Sequence, residues 1–117
     1  MKPEGKKQKG SRAEREFAKM LREIDPTSRR MVLSGSVMGL EGDIWGKLPI
    51  MWEIKNQETW KPLEYYRQAQ LQAIGGNTPE VVMTRNREGF YCFLKAEDFI
   101  ELLKYALAAN WPDGVLK

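Results

Sequence analysis

The stretch over residues 42–55, GDIWGKLPIMWEIK, constrains the fold more than any other part of the chain. It contains two apolar runs separated by only four residues, 46–49, which include a glycine and a proline. A connection this short folds two runs back on each other as a β-hairpin. We therefore predict a strand at the pair 44–45, a tight turn, and a second strand over residues 50–56.

The alternation of side chains along a strand then sorts the charged residues of this hairpin. Glu53 and Lys55 should lie on one face, whereas Trp52 and Ile54 lie on the other. Folding the hairpin also brings Asp43 near Glu53. Two carboxylates and an ammonium group at one end of a hairpin suit a divalent cation that prefers oxygen ligands, with the lysine beside an attacking water or a developing negative charge. Taken alone, E-x-K is also common as an exposed ion pair on a solvated strand.

The absence of histidine excludes a large part of enzyme chemistry. A Ser-His-Asp triad, a Cys-His pair and the histidine-containing zinc sites are all impossible. Any metal must be held by oxygen, and acid–base work falls to carboxylates, lysine or activated water. The single cysteine, Cys92, cannot form an internal disulfide. It lies in the apolar run 90–94, so we predict a buried structural thiol.

Length and charge predict a single domain with a basic start. The chain has 117 residues and a net charge of +3, enough for one core. Residues 1–15 alone carry six basic and two acidic side chains. We predict a flexible basic arm over residues 1–10, which either follows phosphates or serves only solubility, and one domain over 11–117. No apolar run reaches the roughly 20 residues that a membrane helix needs, which predicts a cytoplasmic protein.

Periodicity predicts the remaining elements. Helices are expected over residues 11–24, 63–74 and 96–110, and further strands over 29–33, 81–84 and 90–94, with turn residues 86–89 joining the last two. The order is α-β-β-β-α-β-β-α, a mixed α/β (α+β) fold in which a central mixed sheet of about five strands is flanked by helices. The apolar residues expected to pack from the second and third helices are Leu63, Tyr66, Ala69, Leu71, Ala73 and Ile74, and Phe99, Ile100, Leu103, Ala106 and Leu107.

Two stretches keep alternative interpretations. Ser11 followed by Glu14 has the spacing of a capping box at a helix start, yet Glu14 could also be a third carboxylate at the hairpin site. The glycine- and serine-rich residues 34–42 could contact phosphate oxygens or be a plain connector.

With these elements placed, the chain resembles the PD-(D/E)XK nuclease superfamily, and within it the archaeal-type Holliday junction resolvases. The shared features are a basic K-G element running into a helix with glutamate and arginine, a serine-glycine-serine loop, an acidic strand, E-x-K, and a glycine pair leading through proline into an apolar strand. In this chain they are Lys9 to Glu16, Ser34 to Ser36, Gly42 to Ile44, Glu53 to Lys55, and Gly75 to Met83. Gly42 stands where the superfamily often has proline.

The resemblance implies a restriction-endonuclease-like core and a set of site residues. Asp43 and Glu53 would bind Mg²⁺, or Mn²⁺ as a substitute, with help from the backbone carbonyl of Ile54. Lys55 would position water, and Glu14 would complete the acidic cluster. The side chains expected at DNA are Lys6, Lys7, Lys9, Arg12, Arg15, Arg29, Arg30, Ser34 and Ser36.

The implied activity is magnesium-dependent hydrolysis of phosphodiester bonds at four-way DNA junctions, carried out by a homodimer. One rival is another nuclease of the superfamily that acts on ends, flaps or nicks. A rival of a different class is a non-catalytic nucleic-acid-binding module, in which aromatic side chains such as Trp45, Trp60 and Tyr65 contact the nucleic acid.

Overall fold

The computed structural model describes residues 6–31, 42–73, 76–86 and 88–110, with side chains from residue 10 onward. Three helices and five strands follow one another in the predicted order. They are α1 (Lys6–Leu21), β1 (Arg29–Arg30), β2 (Ile44–Trp45), β3 (Ile50–Asn56), α2 (Pro62–Gln72), β4 (Thr78–Thr84), β5 (Tyr91–Phe93) and α3 (Ala96–Ala108). The predicted mixed fold is confirmed.

The five strands form one sheet in the order β1-β2-β3-β4-β5. All neighbours are antiparallel except β3 and β4, which are parallel. Parallel neighbours need a long crossover connection, and α2 provides it. Both predicted hairpins, β2–β3 and β4–β5, are confirmed, and positive φ angles at Asn86 (47°) and Gly89 (101°) turn the second one.

The sheet is covered on both faces. On one face Phe17 and other α1 side chains pack against Ile54 and Val82. On the opposite face Tyr66 and other α2 side chains pack against Met51 and Val81. This double coverage explains why β4 is continuously apolar at its centre rather than alternating.

Helix α1 begins five residues before the predicted start. Lysine and glutamine are good helix formers, so the lysine-rich residues 6–9 extend the helix toward the N-terminus. Ser11 therefore lies inside α1, and its Oγ accepts a hydrogen bond from Arg30 Nη2 at 2.9 Å. The predicted start at Ser11 and the capping-box interpretation of Glu14 are wrong. The remainder of the predicted arm, residues 1–5, lies outside the described residues.

Three expectations about packing are wrong wholly or in part, although Tyr66 and Ala69 pack as predicted; Ile74 lies outside the described residues. Helix α2 ends at Gln72, and its buried side chains are Tyr65, Tyr66 and Ala69, whereas Leu63 and Leu71 are exposed. Helix α3 buries none of its side chains, although its sequence is amphipathic. Because α1 and α2 already cover the two faces of the sheet, α3 has no face left to cover. Cys92 is exposed rather than buried.

A buried aspartate ties the end of α1 to the β2–β3 turn. Asp25 accepts hydrogen bonds from the Thr27 hydroxyl at 2.6 Å and from the Lys47 backbone N–H at 2.7 Å. The Thr27 hydrogen bond is the main cause of the lowered pKa of Asp25. A Cβ at Gly46 would lie 2.6 Å from Asp25 Oδ2, so a side chain there would displace the carboxylate. This contact holds the hairpin against α1.

None of the helices in the described part of the chain combines the length and the apolar character needed to cross a membrane.

Candidate active site

Asp43 is fixed by hydrogen bonds on three sides, just before β2. Its backbone N–H donates to the Trp52 carbonyl at 2.7 Å, and its own carbonyl accepts from the Met31 N–H at 2.8 Å. Its carboxylate oxygen Oδ2 accepts from the Ile54 N–H at 2.6 Å. The side chain therefore lies against the middle of β3. Because the N–H and C=O of one strand residue point to the same side, the Ile54 carbonyl also faces Asp43.

Gly42 explains why this chain lacks the proline that often precedes the aspartate. Its φ is +94°, and a Cβ there would lie 2.8 Å from Met51 Cγ and 3.1 Å from the Trp52 carbonyl oxygen. Proline fixes φ near about −65° and cannot adopt this conformation. The glycine is what allows the chain to enter β2 with Asp43 directed at Ile54.

Glu53 lies on β3 within the field of two other carboxylates. Burial is the largest cause of its raised pKa, about 7, and the charges of Asp43 and Glu14 raise it further, whereas Lys55 opposes the shift. These interactions place all four side chains in one electrostatic cluster. The hydrogen bond between Asp43 and Ile54 and these electrostatic interactions bring Asp43 and Lys55 near Glu53. The roles of these three residues as site residues stay predictions.

Glu14 reaches this cluster from α1. Its Oε1 accepts a hydrogen bond from Arg30 Nε at 3.0 Å, and the Glu14 side chain is 14% exposed. Burial raises the pKa of Glu14 and so does Asp43, whereas Arg30 lowers it. Arg30 thus joins Ser11 and Glu14 of α1 to β1. No local sequence pattern indicates this ion pair, because its partners lie 16 residues apart on different elements.

Lys55 is held by an aromatic side chain of α2. Its Nζ lies 5.2 Å from the centroid of the Tyr65 ring, a cation–π contact. The Tyr65 hydroxyl donates to Gln57 Oε1 at 2.8 Å, which fixes the ring. Tyr65 is therefore a positioning residue for Lys55. A tyrosine on a helix that follows E-x-K offers no distinctive pattern, so its role was not predicted.

A polar cleft of about 550 Å³ opens beside Lys55. Residues 54–59 and Lys61 line it from the end of β3 and the following loop, and Gly10 lines it from α1. The cleft adjoins the carboxylate cluster through Ile54 and Lys55, which lie next to Glu53. A ligand in this cleft would therefore lie beside the charged groups.

The donor set fits a hard divalent cation. Within the described residues, no three acidic or cysteine side chains are already arranged as metal ligands. Burial is the main cause of the raised pKa values of Glu14 and Glu53, and neighbouring carboxylates raise both further. A cation that prefers oxygen ligands relieves that repulsion. Asp43, Glu53, the Ile54 carbonyl and Glu14 are the groups able to hold it.

The residues predicted to contact DNA have different surroundings. Arg15 and Arg29 are exposed, and the Arg29 guanidinium lies 4.7 Å from the centroid of Trp45. Arg12 is 3.8 Å from Glu16. Arg30 instead binds Glu14 and Ser11. The side chains of Lys6, Lys7 and Lys9, and the whole of Ser34 and Ser36, lie outside the described residues, so their contacts stay predictions.

A mixed five-stranded sheet with an aspartate before one hairpin strand and E-x-K on the next defines a PD-(D/E)XK nuclease core. The chain belongs to the family described as phage putative PDDEXK endonuclease, which it matches over residues 5–111. That match runs from α1 through α3 and confirms the predicted superfamily. No curated protein and no solved structure matches the chain.

Proposed function

We propose that this protein is a Mg²⁺-dependent, structure-selective DNA endonuclease that cuts four-way junctions. The observation that carries the proposal is the cluster in which Asp43, Glu53 and Glu14 converge from three elements beside Lys55. Family membership supports nuclease chemistry. The choice of a junction rests on the resemblance of five sequence elements to the archaeal-type resolvases.

Each side chain of the cluster has its own role in phosphodiester hydrolysis. Asp43 and Glu53 hold the cation with the Ile54 carbonyl, and Glu14 adds negative charge from α1. A bound Mg²⁺ or Mn²⁺ supplies water activation and charge neutralisation at the phosphate. Lys55, steadied by Tyr65, directs its ammonium group at the attacking water or at the developing charge. The cleft beside Lys55 gives the DNA strand a path to these groups.

Comparing substrates tests this proposal. A labelled four-way junction, its component linear duplexes, a nicked duplex and a flap are incubated with the protein in Mg²⁺ and in EDTA. We expect paired cuts in the junction in Mg²⁺, slower cutting of the linear duplexes, and no cutting in EDTA. Preferred cutting of ends, flaps or nicks would favour the rival nuclease instead.

The non-catalytic rival fits the charges poorly. Three carboxylates close together repel phosphate unless a cation lies between them. A binding module gains nothing from such a cluster. Binding of DNA without any cleavage in Mg²⁺ or Mn²⁺ would nevertheless establish the non-catalytic binding module.

The cytoplasmic location expected from the sequence stays a prediction.

The basic start of α1 is expected to supply non-specific affinity. Because three of its lysines belong to the helix, deleting them would shorten α1, and substitution is the cleaner change. Replacing Lys6, Lys7 and Lys9 with glutamine should weaken binding to every DNA shape and flatten the dependence of affinity on salt, by about one unit of log–log slope for each phosphate that is no longer neutralised. Affinity measured from 50 to 300 mM salt checks this, at about 25 °C. An unchanged slope would leave these lysines a solubility role.

We propose that the working unit is a homodimer. Resolving a junction requires cuts in two strands related by approximate two-fold symmetry, and each chain carries one cluster. Two copies that associate through the same surface on each chain bring two clusters to one junction. Helix α3 is the candidate surface because Phe99, Ile100, Leu102 and Leu107 are each at least half exposed, and such a row of apolar side chains marks an interaction site. Trp111, another candidate, lies outside the described residues.

Mass in solution tests the dimer. We expect two copies at micromolar concentration, free and on a junction, and we expect Ile100→Glu to give monomers that no longer cut both strands. Leu71→Glu is the matched control, since Leu71 is 87% exposed on α2 and far from α3 in sequence. A wild-type protein that is monomeric both free and bound would defeat the dimer and favour the nuclease of ends, flaps or nicks.

A further inference from the structure

A group of aromatic and basic side chains lies at one edge of the sheet beside the candidate active site; Trp60 and Arg85 are half-buried and Tyr91 is exposed. The Arg85 guanidinium lies 4.8 Å from the centroid of the Trp60 ring. The centroids of Trp60 and Tyr91 are 5.6 Å apart, with the rings tilted by 51°. We call these three side chains the aromatic platform. None of them has a role in the hydrolysis described above.

The platform is rigid at its base and open at its edge. Trp60 Nε1 donates to the Gln57 carbonyl at 2.8 Å, and Trp60 packs against the α2-side core. Arg85 Nη1 donates to the Glu58 carbonyl at 2.8 Å. Tyr91, in contrast, is 50% exposed, and among the described residues its hydroxyl makes one long contact, 3.5 Å to the Glu88 carbonyl. A half-exposed ring on a fixed base offers one free surface for stacking.

Strand register places Tyr91 at a defined distance from Lys55. Lys55 pairs with Met83 on β4, and Met83 pairs with Tyr91 on β5. Two steps of about 4.8 Å between strands separate their Cα atoms by about 10 Å. Stacked nucleotides advance about 3.4 Å each along a strand, so this gap spans about three nucleotides.

The side chains of Lys55 and Tyr91 also lie on the same side of the sheet. Lys55 contacts Tyr65 and Tyr91 contacts Trp60. Tyr65 belongs to the core on the α2 face, and Trp60 packs against that core. The residues between and around them carry both charge signs. Lys61 lies in the loop that links β3 to α2, whereas Glu58 and Glu88 are exposed acids, and Glu88 lies 3.6 Å from Arg85.

We propose that the aromatic platform binds an unpaired DNA base within about three nucleotides of the cleaved phosphodiester, stacked on Tyr91. This inference rests on the proposed nuclease function and specifies its substrate. A base still paired in a duplex keeps both of its faces in the helical stack, whereas an unpaired base can leave it and stack on an aromatic ring. Arg85 beside the ring adds a positive charge for the adjoining phosphate. The enzyme thereby selects DNA with unpaired nucleotides near the cut.

The test compares Tyr91→Leu, which removes the ring, with Tyr91→Phe, which keeps it. Both are made in an Asp43→Asn background so that DNA is bound without being cut. The probes are a duplex with a short single-stranded tail that carries 2-aminopurine at its first three positions, and a blunt duplex of equal charge. Leu71→Ala is the control, because Leu71 is 87% exposed on α2 and belongs neither to the aromatic platform nor to the proposed dimer surface.

We expect Tyr91→Leu to weaken binding of the tailed DNA at least about fivefold and to abolish the quenching of 2-aminopurine at one tail position. Binding of the blunt duplex should stay unchanged, and Tyr91→Phe and Leu71→Ala should behave as the parent. Equal loss on both DNAs, or no loss on tailed DNA, overturns the stacking site. If the wild-type protein cuts DNA and Tyr91→Leu has no effect on binding of the tailed DNA, the stacking site is wrong and the proposed nuclease function stands. A wild-type protein that neither binds nor cuts DNA defeats the proposed function as well.

Discussion

Asp43→Asn is expected to lower the rate of DNA cleavage in Mg²⁺ by more than about 100-fold. Losing even an outer partner of a metal ligand costs about 10- to 100-fold, and Asp43 is proposed as a direct ligand. Asparagine retains an oxygen that can accept the Ile54 N–H, so the hairpin should keep its form. DNA binding should be retained, since the loss of one carboxylate lowers the repulsion of phosphate.

Glu53→Gln should have the same effect for the same reason, and the matched control is Glu16→Gln. Glu16 lies on α1 two residues from Glu14 and is exposed, and its one ion pair within the described part of the chain is a 3.8 Å contact with Arg12. Removing its charge should leave cleavage within about twofold, because exposed ion pairs contribute about 0–1 kcal/mol. Single-turnover cleavage and thermal unfolding of each variant check the prediction. Cutting by Asp43→Asn or Glu53→Gln at close to the wild-type rate would show that the active site lies elsewhere.

The sequence predicted the hairpin that carries this site because its information is local. A strand alternates its side chains with period two, so Glu53 and Lys55 share a face wherever β3 packs. The four-residue turn after Trp45 left no other pairing open to β2 and β3. The approach of Asp43 to Glu53 followed from the same turn.

The ends and faces of the helices depended on distant partners and were less predictable. The Ser11–Glu14 spacing is typical of a helix start. Both side chains instead accept hydrogen bonds from Arg30, which lies on another element. Amphipathicity in α3 shows that an apolar face exists without identifying what covers it. Likewise the Tyr65–Lys55 and Trp60–Tyr91 contacts depend on how α2 and the sheet pack, which no local pattern encodes.

The stability of the metal-free protein should fall as pH rises from about 5 to 7.5. Burial raises the pKa of both Glu53 and Glu80 to about 7 from an ordinary value of 4.5. Neighbouring carboxylates contribute to both shifts, Asp43 at Glu53 and Asp98 at Glu80. Between the ordinary pKa of 4.5 and the folded-state pKa of about 7, the two carboxyl groups keep protons in the folded chain that they have released in the unfolded chain. The free energy of unfolding then decreases with pH, by at most about 1.4 kcal/mol per pH unit for each group.

The response to Mg²⁺ distinguishes the effect of Glu53 from that of Glu80, because of these two residues Glu53 alone belongs to the proposed metal site. A cation binds the ionised form, so Mg²⁺ should restore stability above pH 7 in the wild type and in Glu80→Gln, and should do so with release of protons. It should have little effect on Glu53→Gln. Urea unfolding at pH 5, 6, 7 and 8, in EDTA and in 10 mM Mg²⁺, measures both effects, with about 1 kcal/mol as the smallest useful difference.

Glu101→Gln is the control for these titrations, since Glu101 is exposed on α3 and its ion pair in the described structure is with Lys104, at 2.9 Å. It should follow the wild-type pH curve. Glu80→Gln should remove part of the decrease in EDTA without changing the response to Mg²⁺, and the double variant with Glu53→Gln should remove most of the decrease. A wild-type curve that is flat from pH 5 to 7.5 would contradict the burial of both carboxylates. If Mg²⁺ stabilised Glu53→Gln as much as the wild type, the cation would bind at a site that does not include Glu53.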